Sequence, residues 1–233
     1  MRLAELSTRS GVSRATIKYY LREGLLHPGR RVTTTEAEYD EEHLRRLRLV
    51  RALIQVGRIP VKSAREVLAA LADEDLDRSQ RLGTAVWALP HGPAPDERDP
   101  ATEAARRTAD ELLERIGWSA YAETRGRANG GADGGADGGA DGGAPLPPAY
   151  AMLVTAITAL SRLGYPCAAD DLEPYARAME RIAASDLDLV ERYGTPDEQV
   201  EAAVALTVLY EPVLLSLRRL AEAEESHRRF DSR

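Results

Sequence analysis

The sequence predicts a mainly α-helical protein with one short β-hairpin, and two patterns support this prediction. Apolar residues recur three or four positions apart over most of the 233 residues, as they do between residues 44 and 54. The segment from Leu26 to Tyr39 differs, because it is rich in β-prone residues and contains a Pro28-Gly29 turn. We therefore expect packed helices and a single two-stranded hairpin.

Composition divides the chain into four predicted regions. Residues 1–72 form a basic domain, residues 73–129 a helical connector, residues 130–148 a linker and residues 149–233 a C-terminal helical bundle. The linker repeats Gly-Gly-Ala-Asp, and such a tract buries too little apolar surface to offset the entropy lost on ordering. We expect it to be a flexible tether.

Charge is distributed unevenly between these regions. The whole chain carries a net charge of −7, but residues 1–72 hold 14 Lys and Arg against 8 Asp and Glu. A basic domain on an acidic body is typical of a protein that binds a polyanion through one part only. The acidic C-terminal block is expected to dock on the basic domain and to compete with that polyanion.

Several classes of protein are not expected. The chain has no unbroken apolar run of membrane-spanning length and no signal peptide, so a cytoplasmic protein without membrane contact is predicted. Cys167 is the single cysteine and the four histidines are scattered, so neither a metal site nor a cofactor is predicted. Because the sequence has no Gly-rich phosphate loop or nucleophile–base pair, we expect no enzymatic activity.

The first 25 residues have the pattern of two helices joined by a tight turn. Gly11 suits the turn because glycine adopts the left-handed conformation most easily, and Ser13 is a candidate N-cap for the second helix. On that helix Arg14, Lys18 and Arg22 lie four positions apart and share one face, opposite an apolar stripe. This pattern predicts a recognition helix that enters the major groove of DNA.

This region resembles the MerR transcriptional regulators. The resemblance covers residues 1–72 and depends on Gly11-Val12-Ser13, the run TIKYYLREGLL at residues 16–26, and Pro28-Gly29-Arg30. It implies a winged helix-turn-helix with the hairpin as its wing, a dimer joined by an antiparallel coiled coil, and a C-terminal effector domain. It also implies distortion of promoter DNA, so that RNA polymerase can engage the promoter.

The candidate DNA contacts lie on the second helix and on the wing. Two residues depart from the family pattern: Lys18 replaces its usual arginine and Leu21 its usual acid. Lysine offers a point charge and not a bidentate fork, so base readout at Lys18 is expected to be weaker. Tyr20 is either a phosphate contact or a core residue, since it lies on the apolar stripe. The predicted contacts are Ser13, Arg14, Thr16, Lys18, Tyr19, Tyr20, Arg22, Arg30 and Arg31.

Two further predictions concern the dimer and the C-terminal block. Residues 99–117 have apolar positions at near-heptad spacing and form the predicted dimerisation helix; the alternative is packing on residues 77–89 of the same chain. A predicted aromatic effector pocket consists of Trp118, Tyr150, Tyr175, Tyr210 and Glu211. The alternative is an ordinary bundle core in which Glu211 is ion-paired or solvated.

Together these features predict a sequence-specific regulator that binds double-stranded promoter DNA as a homodimer and responds to a small-molecule effector. The alternative is a DNA-binding protein without a ligand, whose C-terminal bundle binds another protein.

Overall fold

The computed structural model describes residues 1–33, 36–118 and 147–230, and its architecture is helical with one hairpin, as predicted. Most of the predicted linker, residues 130–148, lies outside the described residues. The elements are α1 (Leu3–Ser10), α2 (Arg14–Arg22), β1 (Arg30–Arg31), β2 (Ala37–Glu38), α3 (Glu41–Arg51), α4 (Val61–Leu71), α5 (Arg78–Trp87), α6 (Pro100–Ile116), α7 (Pro148–Arg162), α8 (Ala169–Val190) and α9 (Pro196–Phe230).

The chain forms two compact units. Unit 1 consists of Met1–Pro90 together with Asp186–Arg233, and unit 2 consists of His91–Ser185. The block expected to form one C-terminal domain, residues 149–233, is therefore divided between the two units.

Local sequence signals set the bounds of the elements in unit 1. Gly11 ends α1 in the left-handed conformation, with a φ of 66°. Asp40 caps α3, and the His43 side chain completes a capping box with the Asp40 backbone. The helix then continues as a π-helical turn from Ala52 to Val56. In the hairpin, Arg30 pairs with Glu38 and Arg31 with Ala37 in antiparallel register.

The core of unit 1 includes one face of α9. Val200, Val204 and Val208 recur every four residues and pack in the same apolar cluster as α1 to α5. The largest fully buried side chains of this cluster are Leu6, Ile17, Leu25, Leu26, Leu44, Leu47, Leu53 and Leu68. The N-terminal half of α9 is therefore part of the basic domain's core and not a separate domain.

Unit 2 is organised around α6 and α7. Ala105 and Ala109 of α6 pack with Tyr150, Val154 and Ile157 of α7. The apolar face on which α6 was predicted to dimerise is thus covered within the chain, by α7 and not by residues 77–89. Dimerisation through α6 stays a prediction, and it requires a different face of the helix.

The length of α9 bears on the membrane prediction. By length and composition α9 could cross a bilayer, contrary to the expectation that no segment could, and it is the one such helix in the described ranges. Its Val200, Val204 and Val208 face lies in the core of unit 1, however. The helix continues through Pro212, which has no backbone N–H to donate to the preceding turn.

Candidate nucleic-acid interface

The start of α2 is held by its own hydroxyl side chains. The Ser13 Oγ accepts a hydrogen bond from the Thr16 backbone N–H at 3.1 Å and lies 2.8 Å from the Thr16 Oγ1. Both hydroxyls, predicted as DNA contacts, are engaged in this N-cap. The positive end of the helix dipole and the exposed Arg14 lie at this N-terminus.

The outer face of α2 carries cations that have no carboxylate partner. Arg14, Lys18 and Arg22 are exposed, and none of them has an ion pair within the described part of the chain. The Arg22 guanidinium lies over the Tyr19 ring, 5.6 Å from its centroid, in a cation–π contact. These three charges are available to neutralise phosphates or to contact bases without breaking an existing ion pair.

Tyr20 lies on the opposite face. Its side chain is 3% exposed and packs in the core of unit 1. Burial raises the pKa of the Tyr20 phenol, while a hydrogen bond with Gln55 and the charge of Arg51 lower this pKa in part. This position favours the core alternative over the phosphate contact.

Hydrogen bonds from neighbouring helices fix the turn and the C-terminal end of the helix-turn-helix. Arg65 of α4 donates from Nε to the Glu23 carbonyl at 2.8 Å and pairs with the Glu23 carboxylate at 3.0 Å. Arg51 donates to the Ser10 carbonyl at 2.7 Å. The cationic face of α2 is therefore presented by a rigid scaffold, as specific recognition requires.

The two wing arginines differ in their surroundings. Arg30 forms an ion pair with Glu38 directly across the hairpin, whereas Arg31 has no ion pair within the segments that the structure describes. Arg2 pairs with Glu36 at 2.9 Å and so ties the wing to the N-terminus. Arg31 is the wing cation that is free to contact a phosphate.

The other cations of the basic domain are mostly paired. Arg9 donates to the two Glu41 carboxylate oxygens from Nη1 and Nη2. The Arg45 Nη1 lies 3.7 Å from the Glu198 Oε1 on α9. The sequence analysis did not single out Arg58, an exposed cation whose φ of 54° is positive. The Gly57-Arg58-Ile59-Pro60 turn was the available signal.

The predicted effector residues belong to both units. Tyr150 is buried, and its hydroxyl donates to the Asp110 carboxylate at 2.7 Å, while Trp118 packs on the apolar residues at the end of α6. Tyr175 is 57% exposed. These three residues lie in unit 2, whereas Tyr210 and Glu211 lie in unit 1. Glu211 is exposed, which favours the solvated alternative.

Unit 1 contains an open groove between α3 and α9. Its volume is about 390 Å³, with an apolar floor and charged rim residues. Beside it, Arg46 donates to the Leu68 carbonyl at 2.9 Å, and burial lowers the pKa of Arg46. Burial also raises the pKa of Glu201, which lines the groove. The lining residues are Arg45, Arg48, Leu49, Ala52, Tyr193, Glu198, Glu201, Ala202, Ala205 and Leu209.

Comparisons with known proteins agree with the geometry of this domain. The family model described as MerR HTH family regulatory protein matches residues 1–71. The crystal structure of the putative transcriptional regulator SCO5550 from Streptomyces coelicolor A3(2) is similar to almost the whole chain: the two sequences are 52% identical, the match covers 99% of this chain and 98% of that chain, and the TM-score is 0.79. No curated protein matches the chain. The protein therefore belongs to the MerR family of helix-turn-helix proteins, which bind DNA and regulate transcription.

Proposed function

We propose that the protein binds double-stranded promoter DNA as a homodimer and distorts it to control transcription by RNA polymerase. The observation that carries this proposal is the row of unpaired cations on the exposed face of α2, Arg14, Lys18 and Arg22. Such a regulator acts in the cytoplasm and without catalysis.

The arrangement of charges supports different roles for α2 and the wing in DNA binding. Cations that neutralise phosphates release condensed counterions and supply most of the non-specific affinity. Arg14 and Lys18, on the first two turns of α2, are the candidates for contact with base edges in the major groove. Arg31 on the wing supplies a phosphate contact, which positions the domain but carries no sequence information.

The distal half of α9 supports dimerisation. Leu206, Tyr210, Val213, Leu217 and Leu220 alternate at spacings of four and three residues, which is the a/d pattern of a coiled coil. The last three side chains are 44%, 57% and 66% exposed. Two copies that pair along this stripe bury these side chains and bring two α2 helices to one duplex. This assignment places Tyr210 in the dimer seam.

Substitutions on α2 test the proposal. We expect Arg14→Ala and Lys18→Ala each to weaken discrimination between the operator and random DNA by about 5- to 150-fold, equivalent to roughly 1–3 kcal/mol. Arg107→Ala is the matched control, because Arg107 is an exposed arginine on α6 in unit 2. If the two α2 variants bind both DNAs as the control does, α2 is not the recognition helix.

A second candidate function concerns unit 2, whose surface favours a protein partner over a small-molecule effector. Several large apolar side chains on α7, α8 and the connection between them are exposed: Met152, Leu163, Tyr165, Tyr175 and Met179. DNA footprinting with the low-molecular-mass fraction of a cell extract, and separately with its protein fraction, distinguishes the two. A footprint that changes only with the small-molecule fraction contradicts the hypothesis of a protein partner and supports a small-molecule effector.

A further inference from the structure

The π-helical turn that follows α3 contacts both the helix-turn-helix and α9. It is closed by a hydrogen bond from the Gly57 backbone N–H to the Ala52 carbonyl at 2.8 Å. Turns of this kind are rare, occur mostly as single-turn insertions in α-helices, and are frequent at functional sites. The contacts of this turn with its two neighbours indicate what it does here.

Side chains at the turn hold the helix-turn-helix. Arg51, directly before the turn, donates from Nη1 to the Ser10 carbonyl at 2.7 Å and from Nε to the Gln55 side chain at 3.2 Å. The Gln55 side chain also hydrogen-bonds with the phenol of Tyr20, which is buried on α2. These polar contacts tie the position of the recognition helix to that of the π-helical turn.

Gly57 forms a notch that receives a side chain of α9. A Cβ atom at this position would lie 2.1 Å from the Val208 Cγ1 and 2.9 Å from the Leu53 carbonyl oxygen. The φ of Gly57 is −73°, which residues with side chains adopt freely, so glycine is required here for space and not for backbone conformation. Val208 therefore packs directly on the backbone of the turn.

The fit between Gly57 and Val208 is sensitive to small changes. Non-bonded carbon atoms pack at about 3.5–4 Å, so a methyl group on Gly57 requires a displacement of about 1.5 Å. Val208 is 6% exposed, and a valine in a helix is largely confined to one rotamer. Part of the displacement is therefore transmitted to α9, close to Leu206, the first residue of the apolar stripe proposed as the dimer seam.

We propose that Gly57 is a positioning residue, which sets the angle between α9 and the recognition helix and thereby the half-site separation that the dimer selects. This inference depends on the proposed pairing of two copies through α9. Because a two-fold axis relates the copies, a rotation of about 10° in each basic domain changes the relative orientation of the recognition helices by up to about 20°. One base pair of B-DNA contributes roughly 35° of twist. Such a rotation is large enough to alter the preferred separation.

Operators that differ only in half-site separation test the proposal. The probe is a duplex selected from random-sequence DNA by the full-length wild type, together with derivatives in which one or two base pairs are added or removed between the half-sites. We expect the wild type to prefer one separation by about 10-fold or more, because a wrong separation requires twisting of the DNA. In Gly57→Ala we expect a different preferred separation or a preference reduced to about 2-fold or less.

Gly83→Ala is the matched control for Gly57→Ala. Gly83 is a helical glycine of unit 1, and a Cβ atom added to it would meet no heavy atom within 4 Å. We expect this control to prefer the same separation as the wild type. The double variant Gly57→Ala/Val208→Ala removes the methyl group nearest to the added Cβ, and we expect it to regain the preference of the wild type.

A second variant keeps Gly57 and changes α9. Val208→Ala enlarges the notch and should broaden the preference, whereas Val204→Ala removes the same groups one turn earlier on the buried face and should leave the preference sharp. If Gly57→Ala does not fold, this pair of variants decides. Equal preferences in Val208→Ala and Val204→Ala then overturn the proposal.

A merely structural role for Gly57 predicts a different result. Destabilisation lowers the affinity of Gly57→Ala for all separations by one factor and leaves their order unchanged, and this result overturns the proposal. The same order in Gly57→Ala and in Gly83→Ala also overturns it. By contrast, a wild type that selects no DNA, or that is monomeric in analytical ultracentrifugation, contradicts the proposed function itself.

Discussion

The helices α2 and α9 both bury one face in the core of unit 1, and they differ in what their remaining surface presents to solvent. α2 buries Ile17 and Tyr20 and exposes cations that have no carboxylate partner in the described residues. α9 buries a valine stripe in its first half and exposes apolar side chains in its second half. One core thus supports two surfaces of opposite chemistry, one suited to a polyanion and the other to an apolar partner.

Disruption of the apolar stripe of α9 is expected to have the largest effect. The double variant Leu217→Asp/Leu220→Asp places charges at seam positions and should convert the dimer into monomers. A second, linked basic domain increases affinity by about 10²- to 10⁴-fold without new types of contact. We therefore expect the operator affinity of the monomeric variant to fall by about 10²-fold or more. Analytical ultracentrifugation and a DNA titration measure the two quantities.

Leu215→Asp is the matched control for this variant. Leu215 is 47% exposed and lies on the same helix, but its heptad position is opposite the seam. We expect it to remain dimeric. If the control dissociates as the double variant does, or if the double variant stays dimeric, the stripe is not the interface.

The buried half of α9 is expected to contribute to stability and not to association. Val204 is fully buried, so Val204→Ala should lower the free energy of unfolding by about 2 kcal/mol. In a protein of this size that corresponds to a fall of roughly 4–8 °C in melting temperature. Val56→Ala is the control, because Val56 is 55% exposed. Equal melting temperatures for the two variants contradict the role of α9 in the core.

This packing changes the expectation about the acidic C-terminal block. Docking on the basic domain was expected to be electrostatic, and an ion pair does occur between Arg45 Nη1 and Glu198 Oε1, which are 3.7 Å apart. However, Val200, Val204 and Val208 make the contact a part of the core. Removal of residues 145–233 is therefore expected to destabilise the basic domain and not simply to increase its DNA affinity.

The sequence predicted those features that depend on local chemistry. Gly11 and Ser13 act at helix ends as their residue types require, and the face of α2 follows from a spacing of four. The contact between His27 and His43 and the entry of α9 into the core are long-range. Periodicity identifies an apolar face but not its partner, so the face of α6 was assigned to a second chain although α7 covers it.

A substitution in the wing is expected to change DNA affinity less than the substitutions in α9 do. Glu38→Gln removes the ion-pair partner of Arg30 and leaves that arginine free for a phosphate. We expect a gain of a few-fold in DNA affinity at low salt, and a salt slope that is steeper by about 0.9 for each added contact. Glu103→Gln, which releases Arg107 in unit 2, should change neither quantity. No difference between the two variants means that Arg30 does not reach DNA.

The salt dependence of operator binding tests the central claim most directly, because it counts the cations that neutralise phosphates. A cation that contacts a base edge in the groove also neutralises the neighbouring phosphates, so two copies of Arg14, Lys18, Arg22 and Arg31 predict a slope of log affinity against log salt of about −7. In the triple variant Arg14→Ala/Lys18→Ala/Arg22→Ala the slope should become shallower by several units. A wild-type slope near zero, or an unchanged slope in the triple variant, contradicts the assignment of the unpaired cations of α2 to DNA.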